Sequence, residues 1–132
     1  MSVLFDPMLS GLVQVLDLRQ QQHGLTATNL ANADTPGFEA KVLDFDDALR
    51  QAVAPRNVEG MRRNHAMHMD ASGGTDAPVR TIEATPWSVD GNSVLPEREM
   101  ARLQENALMY RSVAGGLSLR LALLKYAAND GS

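Results

Sequence analysis

Apolar residues return along the chain at spacings of three and four in two long stretches, one near each end. In the first, Leu9, Leu12, Leu16, Arg19, His23, Thr26 and Leu30 fall on one line, with Val13, Gln20 and Ala27 beside it. That periodicity predicts a helix whose seam is apolar at both ends and polar in the middle. Asp6 followed by Pro7 is a helix start, an acceptor side chain and then a residue whose missing N–H is no loss at the first helical position. The predicted helix covers residues 7–31, about 37 Å at 1.5 Å per residue.

The second stretch opens at Pro96, with Glu97 and Glu99 in a first turn where the helix dipole favours anions. Met100, Leu103, Ala107, Tyr110, Ala114, Leu117, Leu121, Leu124 and Ala128 then alternate three and four apart without a break, the signature of a coiled-coil seam over residues 96–128. Leu119 and Leu123 lie off that stripe, so the helix carries a second apolar face that a single partner helix cannot cover. Gly115 and Gly116 interrupt it, each at about 1 kcal/mol relative to Ala. Two readings stand side by side: a tolerated kink, or a place where a neighbouring helix comes close to the backbone.

Between the helices, Asn32 is suited to the left-handed residue that ends a helix, and Thr35, Pro36, Gly37 and Phe38 have the order of a type II turn. Val42, Leu43 and Phe45 lead into a short helix begun by Asp46 and Asp47, so residues 32–53 read as turn, extended piece and short helix. Residues 54–86 lose periodicity and have the composition of a mobile loop, with a short strand over 79–85. The Asp-Gly and Gly-Asn pairs within 87–95 predict a small β-hairpin. The fold expected is mainly α and a single domain, its two long terminal helices packed as an antiparallel coiled-coil-like pair.

Composition agrees. Of 132 residues 44% are hydrophobic but only 5% aromatic, a palette for helix packing. A net charge of −4, with Lys and Arg scattered, argues against nucleic-acid binding. No cysteine is present, so disulfides and thiolate metal sites are excluded. The first eight residues lack the basic region and apolar run of a Sec signal, and the reading finds no stretch of roughly 20 apolar residues that would span a membrane.

Candidate chemistry is thin. His65, His68 and Asp70 are metal-ligand types but lack a fourth ligand and a rigid frame. Asp44, Asp46 and Asp47 lack the glycine and terminal Glu of an EF-hand loop and read as helix-start carboxylates. His23 has no acid or nucleophile nearby in sequence and reads as part of a polar layer. No catalytic, cofactor or metal site is expected, and the chain is read as a non-enzyme whose helices must also pack against neighbouring copies.

The run from Asn29 to Phe38, Asn-Leu-Ala-Asn-Ala-Asp-Thr-Pro-Gly-Phe, resembles the N-terminal signature of flagellar rod, hook and hook-associated axial proteins. A second match, Asp90, Gly91, Asn92, Ser93 and Val94, with Glu99, Met100, Ala101 and then Asn106, Ala107, Leu108 and Tyr110, is similar to the short proximal-rod members. The resemblance implies a structural subunit of the basal-body rod, exported through the flagellar type III apparatus without a cleaved signal. It also implies partners: other rod proteins, copies of itself, the rod-ring adaptor FliE and the export gate. Asn29, Asn32, Asp34, Thr35, Pro36, Gly37 and Phe38 would form the assembly motif, and Gly115, Gly116, Leu119 and Leu123 the contacts between subunits. A small coiled-coil adaptor of an export or assembly machine is the alternative that the heptads alone would satisfy.

Overall fold

A computed structural model describes residues 7–53, 78–86 and 88–129. Helix α1 spans Pro7–Ala31, strand β1 Ala40–Leu43, helix α2 Phe45–Val53, strand β2 Val79–Ile82 and helix α3 Pro96–Asn129. The expected capping residue Asp6, the His65, His68 and Asp70 set, and most of the expected 54–86 loop lie outside the described residues.

The two long helices run antiparallel. Asn29, near the end of α1, hydrogen-bonds Glu99 near the start of α3, and ten residues back along α1 the Arg19 carbonyl accepts from Asn106. The end of α1 is therefore flush with the start of α3. With 25 residues against 34, about 13 Å of α3 has no turn of α1 beside it.

The face of α3 turned toward α1 differs from the heptad reading. Glu99 and Asn106 are 1% and 3% exposed, whereas Met100 and Leu121 are 52% and 48% exposed. Leu103, Leu117 and Leu124 are half-buried, as are Ala107 and Ala114, and Tyr110 is exposed. The stripe is thus rotated by one residue at every other position: 99 and 106 replace 100 and 107 as its most buried members. The physical reason is that polar side chains occupy those positions and find partners there. Glu99, expected to serve the helix dipole beside Glu97, turns inward.

On α1 the seam residues Leu9, Leu12, Leu16, Arg19 and Leu30 are half-buried and Thr26 is buried, but His23, Val13, Gln20 and Ala27 are exposed. The polar layer expected of His23 is supplied instead by Arg19, Asn29, Glu99 and Asn106. The deepest apolar residue of α1 is Leu18, outside the expected seam. It packs with Leu43, Ala48 and Ala52, flanked by Leu25, Phe45 and Leu49. Helix α1 therefore has a second face, covered by β1 and α2, and three of the six buried apolar residues among those described are alanines. So small an apolar core leaves the polar contacts a large share of the work of fixing α1 against α3.

The small antiparallel sheet is present, but its strands are β1 and β2, with Ala40 opposite Ile82 and Leu43 opposite Val79. Residues 88–91 do form a tight turn, Gly91 N–H to the Ser88 carbonyl at 3.4 Å, but no strand flanks it among the described residues. Asp44 begins α2: its Oδ1 accepts from the Asp47 N–H at 3.3 Å, and its carboxylate pairs with Arg80 of β2. That pair is largely exposed on the Arg side and stabilises by at most about 1 kcal/mol.

Helix α3 contains an 18-residue window of mean hydropathy 1.2, enough by length and composition alone to cross a membrane, and none of that window is buried. Leu119, Leu121, Leu123 and Tyr126 are all more than 45% exposed there. Leucines on two faces of one helix raise the average without forming the continuous apolar run that the sequence reading looked for. The same exposed surface is what a packing partner would need.

Candidate functional site

The end of α1 is the most heavily cross-linked part of the described structure. Asn29, 1% exposed, accepts the Lys41 N–H on Oδ1 at 2.9 Å. Its Nδ2 donates to the Lys41 carbonyl at 2.8 Å and to Glu99 Oε2 at 3.0 Å. Both backbone groups of one residue in an antiparallel strand point to the same side. Asn29 thus serves Lys41 as a third strand would, on the edge of β1 that faces α1. Glu99 completes the link, with Oε1 accepting from Arg102 Nη1 at 2.6 Å. One carboxamide ties α1, β1 and α3 together, and the buried carboxylate has both a cation and an amide to compensate for lost water.

Beyond Ala31 the chain turns without a left-handed asparagine: among the described residues only Gly37 and Gly91 have positive φ, at 69° and 71°. Asn32 instead uses its side chain, donating to the Thr28 carbonyl at 2.8 Å and accepting from Thr35 Oγ1 at 3.2 Å. Residues 35–38 form a type II turn, Phe38 N–H to the Thr35 carbonyl at 3.2 Å, with Gly37 supplying the positive φ that the third position needs. Asp34, Thr35, Pro36 and Gly37 are exposed and Phe38 is half-buried.

The segment before α3 docks onto this turn. Asn92 Nδ2 sits among the carbonyls of Asn32, Ala33 and Thr35 at 2.9, 2.8 and 2.9 Å, while its Oδ1 accepts from the Val94 N–H at 2.7 Å. These carbonyls lie in the turn that follows α1, and a side chain 60 residues downstream of Asn32 satisfies them. Around it, Gly37 N–H donates to the Asp90 carbonyl at 2.8 Å, Ser93 N–H to the Phe38 carbonyl at 3.0 Å, and Ala40 N–H to Ser93 Oγ at 2.7 Å. A Cβ on Gly91 would lie 3.6 Å from Gly37 Cα, an ordinary contact, so the two glycines are required by their positive φ and not by space.

Asp90 holds the second turn open to solvent. The Asn92 N–H and the Ser88 hydroxyl both donate to its carboxylate and lower its pKa from the ordinary value. A carboxylate whose pKa is lowered on folding stabilises above its unfolded pKa, near 3.9, and loses that contribution as pH falls through the lower folded value. Titration of the Asp90 carboxyl by NMR should give a midpoint below that of an unfolded peptide, and Ser88→Ala should move it back upward.

Seven to ten residues further along the helix pair, Asn106 Nδ2 donates to the Arg19 carbonyl at 2.8 Å, and the Arg19 guanidinium lies 3.9 Å over the Phe45 ring. Burial pulls the Arg19 pKa below its ordinary value and Glu105 and Asp46 oppose the shift, so the group stays charged. Among the described residues no group of three His, Asp or Glu side chains could hold a metal ion.

Asn29, Asn32, Thr35, Gly37 and Phe38 were legible as a motif, and the structure brings them together with the second run from Asp90 to Val94. Asn92 as the partner of the turn carbonyls, and Glu99 and Asn106 as buried partners, were not legible; a buried polar pair seven residues apart on a heptad seam was the available signal.

No family model matches the chain. Three known proteins are similar to it along most of their length. The flagellar basal body rod protein FlgB of Yersinia enterocolitica is 32% identical over 112 residues, covering 78% of this chain and 82% of that one. FlgB of Escherichia coli K12 is 31% identical over 111 residues, 80% of each, and FlgB of Cereibacter sphaeroides 33% over 111 residues, 83% and 84%.

The chain belongs to the FlgB family.

It is therefore a structural component of the flagellar basal-body rod. In this FlgB-family chain the two runs that carried the resemblance to axial proteins are one physical unit, joined by Asn92 and by the Gly37 N–H donating to the Asp90 carbonyl. The alternative of a soluble coiled-coil adaptor is not favoured.

Proposed function

We propose that the subunit works as a rigid antiparallel helix pair whose exposed apolar side on α3 joins it to neighbouring rod subunits, copies of itself among them, in a helical tube. The observation that carries this is the free end of α3, about 13 Å without α1 alongside, bearing exposed Leu121, Leu123 and Tyr126, with exposed Leu119 at its edge. A contact of this kind, repeated along an axis without closing, generates a filament. Its role is structural, with torque transmission and passage of exported subunits as properties of the tube.

Gly115 and Gly116 fit the same reading. The helix runs through them without a break, both are exposed, and a Cβ on either would meet nothing within 4 Å. Nothing among the described residues of the subunit accounts for them, whereas close approach by a neighbour's helix does. The motif from Asn29 to Phe38 serves assembly by fixing the direction in which the chain leaves α1. At the base of a periplasm-spanning rod, FliE and the export gate are the remaining proposed contacts, and the chain reaches its place through the flagellar type III apparatus without a cleaved signal.

The test is Leu119→Glu combined with Leu123→Glu. Both sites are more than half exposed, so the melting temperature of the purified subunit should stay within a few degrees of wild type. Recovery of the subunit in isolated basal bodies, and swimming, should fall at least tenfold. Normal incorporation of the double variant would remove α3's free end from the interface.

A further inference from the structure

Helix α1 has a third face. One side meets α3 and another is covered by β1 and α2, but Val13, Asp17, Gln20, Gly24, Ala27 and Ala31, alternately three and four apart, form a line that is exposed throughout. On α3 the side turned away from α1 carries a line of the same spacing, Leu108, Ser112, Gly115, Leu119, Ala122 and Tyr126, also exposed throughout. Leu108, Leu119 and Tyr126 are 62%, 64% and 68% exposed. The Ser112 hydroxyl donates to the Leu108 carbonyl at 3.0 Å, so covering this line strands no donor there.

Each line contains a glycine that the subunit itself does not require. Gly24 and Gly115 lie inside their helices, where Gly is destabilising relative to Ala. Neither has a positive φ, and a Cβ on either would meet nothing within 4 Å. A glycine with no conformational role serves where another backbone comes close.

We propose that the open face of α3 receives the open face of α1 from the next copy of this chain, with the two helices antiparallel and Gly24 laid on Gly115. Because the two lines share one spacing, that single match fixes the others: Ala27 faces Ser112, Ala31 faces Leu108, Gln20 faces Leu119, Asp17 faces Ala122 and Val13 faces Tyr126. Two adjacent layers of small residues let the backbones approach, and the large exposed side chains of α3 fall to either side of them. Asp17, the one acidic residue of α1, arrives one turn from exposed Lys125, in a stretch, residues 106–129, that holds no Asp or Glu. The antiparallel sense is the one a non-closing repeat imposes. Copies related along an axis all point one way, so a neighbour's α1 runs against α3 as its own does.

The proposal rests on the rod reading and deepens it by naming which helix of a neighbouring copy α3 meets. Cysteine pairs test it, since the chain has no cysteine of its own. A variant carrying Ala27→Cys and Ser112→Cys should give a ladder of disulfide-linked subunits when isolated basal bodies are oxidised. Within one subunit the Asn29–Glu99 link sets Ala27 about 16 Å along the pair from Ser112, beyond the roughly 7 Å that a disulfide can bridge, so the bond forms only between copies. Val13→Cys with Tyr126→Cys should give the same ladder from the far end of the contact, and decides the matter should the first pair hinder assembly. Basal bodies that contain these variants but show no ladder overturn the proposal.

Gly24→Leu supplies an independent reading. The purified variant should melt at or above the wild-type temperature, because the new side chain has open space and a better helix former replaces Gly, while its recovery in basal bodies falls at least tenfold. A stable variant recovered at the wild-type level overturns the close approach at Gly24. Absence of wild-type subunit from basal bodies would sink the rod reading itself, an outcome separate from either result.

Discussion

Asn29→Ala should lower the stability of the purified subunit by about 4 kcal/mol, the largest loss expected from any single truncation in the helix pair. The substitution leaves the Lys41 N–H and carbonyl without their partner and takes one of two supports from the buried Glu99 carboxylate. Each buried polar group left unmatched is destabilising by about 1–3 kcal/mol, more where charge is involved. Asn29→Asp is the sharper variant. It has the same shape and keeps an acceptor for Lys41, but sets a second carboxylate about 3 Å from Glu99 in a site closed to water. At neutral pH it should be at least as damaging as Ala, and it should recover on acidification as one of the two carboxylates takes up a proton. Urea unfolding at two pH values measures both. A loss under 1 kcal/mol for the Ala variant would mean that water replaces the amide, and that the link between α1, β1 and α3 is held elsewhere.

The second large effect is expected at Asn92, where the usual order of substitutions should invert. Asp is a good replacement for Asn at helix N-termini. Here the side chain meets the turn just after α1, and its NH2 faces three carbonyl oxygens. Asn92→Asp would turn a donor into a third party of like charge at the negative end of the α1 dipole. It should therefore destabilise by about 3 kcal/mol, more than Asn92→Ala at about 2 kcal/mol. Both variants should speed amide exchange at Gly37 and Ser93, whose N–H groups bridge the two turns. An Asp variant more stable than the Ala one would show that the three carbonyls are served by solvent in the folded subunit.

Much of this architecture was legible in the sequence, and the gaps have physical causes. Three-and-four spacing with Pro7 and Pro96 marks both long helices, because local periodicity and a rigid first residue are local facts. Thr35 to Phe38 spells a type II turn for the same reason: only Gly37 can take the φ that the turn demands. The seam of α3 came out one residue off at alternate positions because a search for apolar repeats passes over Glu99 and Asn106, whose burial depends on partners in α1. Leu18 was missed because α1 packs on two sides, and a single stripe describes only one. The β1–β2 pair joins residues some forty apart, while the turn signals at Asp90 and Gly91 pointed to a local hairpin. Asn92 was read as part of a turn, and nothing within reach in sequence reveals that it binds the carbonyls of another turn sixty residues earlier.

That distant link has a kinetic consequence. A turn whose carbonyls are satisfied from its own neighbourhood can set as soon as it forms, whereas the turn after α1 is completed only when residue 92 arrives, and the Asn29 link only when residue 99 does. Contacts so far apart require loop closure before any of them stabilises, which slows their formation relative to the local contacts within each helix. A chain emerging end-first from a narrow conduit would then stay pliable until nearly all of it is out, and its final shape would set only at its destination.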